Sequence, residues 1–136
     1  MKIKLDKGAY KPTKAHGGDV GFDLYAMEGQ VVPAKESAIF DTGVHVQLPK
    51  CVAGVLMSKS GLYHNHDIIS TGLVDPGYTG KIKVKLCNLG GYDYKVEAGD
   101  KITQLCLFPF IEEELEEVED IEGGERGDNG FGSSGR

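Results

Sequence analysis

The chain has no tryptophan, three cysteines and only two arginines among its 136 residues. Cys51, Cys87 and Cys106 are odd in number, widely spaced and form no C-x-x-C, so they give no disulfide framework. Cys87 and Cys106 sit in apolar runs, where a free thiol behaves as a small core residue. A reducing, cytoplasmic setting is the expectation. No apolar stretch approaches the ~18 residues of a membrane span, and the lysines at 2, 4 and 7 precede no apolar run of signal length. The chain therefore reads as soluble and without a membrane partner.

A single-signed basic surface is also missing. Nine acidic residues and no lysine or arginine lie between Ile102 and Glu125, leaving 12 acids against 15 bases elsewhere. The net charge of −6 thus belongs to one segment attached to a mildly basic body, which argues against binding nucleic acid through a basic face. What remains is one domain's worth of sequence, long enough to bury a core without staples.

The apolar residues recur with period two. Examples are Val44-His45-Val46-Gln47-Leu48, Ile82-Lys83-Val84-Lys85-Leu86 and Ile102-Thr103-Gln104-Leu105-Cys106-Leu107, each bounded by Gly, Pro, Asp or Asn. Such spacing predicts an all-β sandwich, jelly roll or barrel, and no alternation of strand with helix suggests a doubly wound sheet. Two segments depart from the pattern. Ser58-Lys59-Ser60-Gly61 opens with N-cap residues and predicts a short helical turn. Ile111, Leu115 and Val118 have helical spacing in Glu-rich sequence, although an extended arm could bury the same residues against another chain.

Glycine is in excess, and six of the 20 glycines lie between Gly123 and Arg136 together with both arginines. This segment has no aliphatic residue, so it reads either as a disordered terminus or as a lid. Phe131 between glycines, with Arg126 nearby, suits closure over a phosphorylated, ring-bearing ligand.

Four further features carry chemistry. In Gly72-Leu73-Val74-Asp75-Pro76-Gly77-Tyr78-Thr79-Gly80, Asp-Pro-Gly makes a tight turn between strand-like runs. Such a hairpin places a carboxylate able to act as a general base, and a tyrosine able to pack on a sugar, on one rigid platform. Asp23, within an apolar strand, lies at an edge or faces something that needs charge, and hydrated Mg²⁺ would suit it. Lys59, Ser60 and Gly61 form an anion cradle without the spacing of a Walker A loop, and Gln104 offers a neutral amide. His64 and His66 have no third and fourth zinc ligand at suitable spacing and read as loop residues.

Five segments in order resemble the motifs of the trimeric dUTP pyrophosphatases, the dUTPases. They are Gly21–Ala26, Ser58–Leu62, Gly72–Gly80, Gly99–Leu105 and Arg126–Gly135. The resemblance implies a jelly-roll-like, distorted β-barrel over residues 1–122, an arm exchanged within a homotrimer with shared active sites, and a lid at 123–136. It implies hydrolysis of dUTP to dUMP and pyrophosphate with Mg²⁺, which lowers dUTP and supplies dUMP for thymidylate synthesis. Asp75 would then activate the water that attacks the α-phosphate, and Asp23 would hold the ion through water. Tyr78 would pack under the deoxyribose, and Gly72, Val74 and Lys83 would read uracil through their main chain. Lys59, Ser60, Gly61 and Gln104 would hold phosphate oxygens. Arg126 would meet the γ-phosphate, Phe131 would stack on uracil, and Gly132 and Ser133 would donate to phosphate. At Lys59 the motif commonly has arginine; lysine keeps the charge without the planar fork.

A dCTP deaminase would need a glutamate where Lys85 stands. A nucleotide-gated regulatory protein with a protein partner is the alternative from another class. Truncation after Gly124 is expected to leave a folded trimer with most dUTP hydrolysis gone, measured by pyrophosphate release and sedimentation.

Overall fold

The computed structural model describes residues 1–124 and Gly127. Among these described residues ten strands and one short helix follow in order: β1 (Lys2–Leu5), β2 (Phe22–Tyr25), β3 (Gln30–Val32), β4 (Ser37–Asp41), β5 (Val44–Gln47), β6 (Val52–Met57), α1 (Ser60–His66), β7 (Ile68–Val74), β8 (Lys83–Asn88), β9 (Tyr94–Val96) and β10 (Lys101–Pro109). A six-stranded sheet of order β2-β10-β6-β7-β8-β4 curls into a half-barrel, with two-stranded sheets β1-β5 and β3-β9 alongside. The fold is all-β, as the period-two reading predicts. No helix among the described residues is long and apolar enough to cross a membrane.

Alternation explains which residues go inside. On β8, Val84, Leu86 and Asn88 are buried while Lys83 and Lys85 point to solvent, and on β5 Val44 and Val46 are buried while Gln47 is exposed. Phe40, Leu24, Ile68, Leu86, Ile102 and Leu105 form the centre of one core. Asn88 is the polar member of that interior. Its amide nitrogen donates to Val32 O at 3.0 Å and Tyr92 O at 2.8 Å, and its Oδ1 accepts from Gly90 N at 2.9 Å. It thereby ties β8, β3 and the 89–93 loop together without leaving a buried polar atom unpaired.

On β10 the alternation breaks, because Ile102 and Thr103 are both buried. The cause is an extra residue: Lys101 pairs with Tyr25 and Thr103 with Leu24, so one residue on β10 has no partner on β2. The bulge turns Lys101 onto the face that carries Asp23 and Gln104.

Residues 111–124 contain no helix, so the i, i+4, i+7 spacing of Ile111, Leu115 and Val118 does not produce one. Ile111 and Ile121 are over four-fifths exposed and Leu115 is fully exposed on the single chain. His64 and His66 also differ from expectation, since they stand in the last turn of α1 rather than in a loop.

Asn88→Ala is expected to cost about 2–3 kcal/mol, because it leaves two carbonyls and one amide without partners. Chemical denaturation monitored by circular dichroism measures it.

Candidate active site

Two groups of residues take shape on the main sheet, one at its β2 edge and one at the β7–β8 hairpin. The first surrounds Asp23 on β2, an edge strand. Asp23 is 3% exposed. Lys59 Nζ donates to its Oδ1 at 2.5 Å, Lys101 Nζ to its Oδ2 at 2.8 Å, and Gln104 Nε2 to Oδ1 at 3.4 Å. Burial by itself raises the carboxyl, but the hydrogen bonds and positive charges of Lys101 and Lys59 outweigh it and hold Asp23 below its ordinary range.

Lys59 reaches this place because β6 leaves the sheet at Met57. Where its next rung would be, Ser58 Oγ accepts from Ser70 N at 2.8 Å and donates to Ser70 O at 3.0 Å. Ser70 Oγ meets Thr103 Oγ1 at 2.8 Å, and Thr103 Oγ1 donates to Met57 O at 3.0 Å. This hydroxyl chain closes the gap between β10 and β7 and sets the exit of Lys59 towards α1. Ser60 and Gly61 form the first turn of that helix.

The second group surrounds the β7–β8 hairpin. β7 pairs with β8 only at Ile68↔Asn88, Ile69↔Cys87 and Ser70↔Leu86. From Thr71 to Val74 it pairs instead with β6 on its other side, while Lys83 and Lys85 of β8 pair with β4. The facing edges of Thr71–Val74 and Lys83–Lys85 therefore lack a partner strand. Between them lies a cavity of about 260 Å³ lined by Gly72, Val74, Tyr78, Lys83 and neighbours. A larger cavity of about 480 Å³ between β3 and β4 holds none of the expected site residues, and its Lys81 and Gln30 are already bonded to Asp41 and Ile39 O.

Asp75-Pro76-Gly77-Tyr78 forms the turn at the tip, closed by Tyr78 N donating to Asp75 O at 3.1 Å, with Gly77 at φ +98° as a type II turn requires. Tyr78 Oη donates to Lys81 O at 2.9 Å, folding the ring across the tip. Gly80 makes room for it, since a β-carbon there would sit 2.5 Å from Tyr78 Oη. Gly72 is constrained by packing too: its β-carbon would lie 3.0 Å from Leu56 Cδ1. Asp75 is exposed at this tip.

The structure thus gathers Asp23, Lys59 and Gln104 in one cluster and Gly72, Val74, Tyr78 and Lys83 around one cavity. It does not bring Asp75 to Asp23 on the same chain. The register runs Asp23↔Gln104↔Met57↔Thr71, and Asp75 lies four residues beyond Thr71, just past the end of β7. Strand spacing makes the separation roughly 20 Å. Arg126, Phe131, Gly132 and Ser133 lie outside the described residues. Lys101 has no role in the motif reading, and only the bulge reveals that it joins the cluster.

Mg²⁺ can be tested against these donors. A carboxylate offers about four acceptor positions, and three around Asp23 are taken. Among the described residues no group of three His, Cys, Asp or Glu side chains is arranged for a metal. The donors fit a hydrated ion touching Asp23 through water, and do not make a direct protein cage.

The dUTPase family profile matches residues 8–135. The chain belongs to the dUTPase family. It is 40% identical to the deoxyuridine 5'-triphosphate nucleotidohydrolase of Clostridium acetobutylicum, across 99% of this chain and 96% of that protein. The corresponding protein of Gloeothece citriformis is also 40% identical, across 99% and 97%. Among solved structures, a variant dUTPase of Staphylococcus bacteriophage 80alpha with bound dUpNHpp superposes with a TM-score of 0.92 at 30% identity, covering 99% of this dUTPase and 98% of that chain. A variant dUTPase of S. aureus phage phi11, described as coordinating a structural Mg(II) ion, gives a TM-score of 0.82 at 27% identity over 90% and 98%.

A carboxyl held low in the folded state adds stability above its unfolded titration, near pH 4, and loses it as pH falls through the lower folded value. Asp23→Asn also leaves Lys59 and Lys101 without their counter-charge. The variant should therefore melt below the wild type at pH 7, with the gap narrowing under acid; thermal melts across pH check this.

Proposed function

We propose that this dUTPase hydrolyses dUTP to dUMP and pyrophosphate at a site assembled from more than one copy of the chain. The observation that carries the reading is the opened β7–β8 hairpin: two unpaired backbone edges border a cavity, with Asp75 and Tyr78 at its tip. Backbone donors and acceptors of Gly72, Val74 and Lys83 read the uracil edge, and the cavity wall rejects thymine's methyl. Tyr78, held over the tip by Lys81 O, packs against the deoxyribose and leaves no room for a 2′-hydroxyl.

Asp75 takes a proton from the water that attacks the α-phosphorus. A general base must lie within hydrogen-bond reach of that water. The lysine cluster that would hold the same triphosphate is too distant on one chain, which supports a homotrimer in which the tip of one protomer meets the cluster of another. The exposed Ile111, Leu115, Val118 and Ile121 support an arm that packs on a neighbour. Lys59, Ser60, Gly61 and Gln104 bind phosphate oxygens, and Lys101 keeps Asp23 charged. Asp23, through water, would hold Mg²⁺ together with the triphosphate, and the ion would supply charge neutralisation and alignment for in-line displacement. From the tail, Arg126 pairs with the γ-phosphate, Phe131 covers the base, and Gly132 and Ser133 donate to phosphate.

Pyrophosphate release measured side by side for dUTP, dCTP, dTTP and UTP should be confined largely to dUTP, and release from none of them would refute the reading. Asp75→Asn is expected to lower kcat by about 100- to 10,000-fold while dUTP still binds, as loss of a general base predicts.

A further inference from the structure

The hairpin tip is fastened at its two bases, where Val74 pairs with Gly54 of β6 and Ile82 N donates to Val44 O at 2.9 Å while Ile82 O accepts from Thr42 Oγ1 at 2.7 Å, but little holds residues 75–80 between them. Its β7–β8 ladder ends at Ser70↔Leu86, and the bonds of residues 75–80 to each other and to Lys81 keep the turn's shape without fixing its position. Among the described residues, one hydrogen bond reaches residues 75–80 from outside the hairpin: His45, on β5, has Nδ1 2.8 Å from Thr79 O. Thr79 lies between Tyr78 and Gly80.

The rest of the imidazole is anchored. His45 Nε2 lies 3.2 Å from Asp6 Oδ1, and its side chain is 18% exposed. Asp6 follows β1 directly, and its own amide donates to Gly43 O at 2.9 Å. Carbonyl and carboxylate oxygens only accept, so in each of these hydrogen bonds the ring nitrogen is the donor, Nδ1 to Thr79 O and Nε2 to Asp6 Oδ1. The bond thus runs from the β1–β5 sheet to the segment that presents the tyrosine. Lys81 Nζ, 2.7 Å from Asp41 Oδ2, fastens the residue just beyond the tip.

We propose that His45 is a positioning and specificity-determining residue of this dUTPase. Its Nδ1 proton holds the Thr79 carbonyl and so sets the height of the Tyr78 ring above the sugar site. The proposal rests on the dUTP-hydrolysis reading, and it assigns His45 no contact with substrate. Its consequence falls on discrimination: a tip free to swing lets the ring withdraw and admits a 2′-hydroxyl.

Asparagine and glutamine separate the two ring contacts. His45→Asn puts an amide nitrogen where Nδ1 sits and keeps the donor to Thr79; His45→Gln puts it where Nε2 sits and keeps only Asp6. His45→Leu removes both. In the full-length assembled protein, with assembly verified by sedimentation, His45→Gln and His45→Leu should each reduce the dUTP-to-UTP ratio of kcat/KM by about fivefold, the size of one net hydrogen bond. His45→Asn should retain the wild-type ratio. Hydrogen exchange at the amides of residues 75–80, read without nucleotide, should quicken by about the same factor in the Gln and Leu variants alone. A Gln variant that discriminates like the wild type, or an Asn variant that behaves like Leu, overturns the proposal. If the wild type itself does not prefer dUTP to UTP, the functional reading fails instead, and the exchange experiment alone decides whether His45 holds the tip.

Discussion

A β-hairpin that stops pairing halfway is the constraint on which the rest of this molecule depends. Two strands that part inside a protein leave backbone donors and acceptors without partners, which is costly unless something else pairs them. Here the outer edges are supplied: β6 takes β7 from Thr71 to Val74, and β4 takes β8 from Ser37↔Cys87 to Asp41↔Lys83. Only the inner edges stay open, facing each other across a cavity. Such edges suit a flat heterocycle whose own donors and acceptors complete the missing rungs. On the proposed function, recognition of a base becomes a problem in strand pairing, solved with backbone atoms that side-chain substitution barely alters.

The phosphate end obeys a different rule. A carboxylate as buried as Asp23 needs compensation, and this chain supplies it with lysines, having no arginine before position 126. An ammonium is a compact point charge on a flexible stem, so two of them can approach one carboxylate, Lys101 from a strand and Lys59 from the cap of α1, without the planar alignment a guanidinium demands. The pair also leaves a net positive charge beside the sheet edge. That sign favours a triphosphate, while the Asp23 carboxylate keeps the two cations from repelling each other.

Much of this was legible in the sequence, and the reasons are local. Period-two runs such as Val44–Leu48 and Ile82–Leu86 announced strands because each has one buried face, and Asp-Pro-Gly announced the turn because proline and glycine set its dihedral angles. Asp23 stood out as a charge in an apolar strand. Lys101 did not, because its face depends on a bulge that ordinary alternation cannot register. Nor could residue spacing show that β7 changes partners at Thr71, since the choice between β6 and β8 is made by distant strands. The helical spacing of Ile111, Leu115 and Val118 misleads for a related reason: Ile111 and Leu115 are almost wholly exposed and Val118 half-exposed, so no apolar face of a helix would be buried on this chain.

That last point bears on how the two halves of the site meet. A chain that buried its arm on itself could remain a monomer, with Asp75 and Asp23 kept roughly 20 Å apart by the sheet between them. This chain leaves Ile111, Leu115 and Ile121 exposed and follows them with the Gly-rich tail. Exposed apolar side chains on an acidic segment want an apolar, mildly basic surface, and the body of another copy has that character. In the proposed assembly, the association that covers the arm would also bring a hairpin tip from one chain to the lysine cluster of another. Assembly and catalysis would then draw on one driving force, because without the burial of the arm neither half-site would meet its complement.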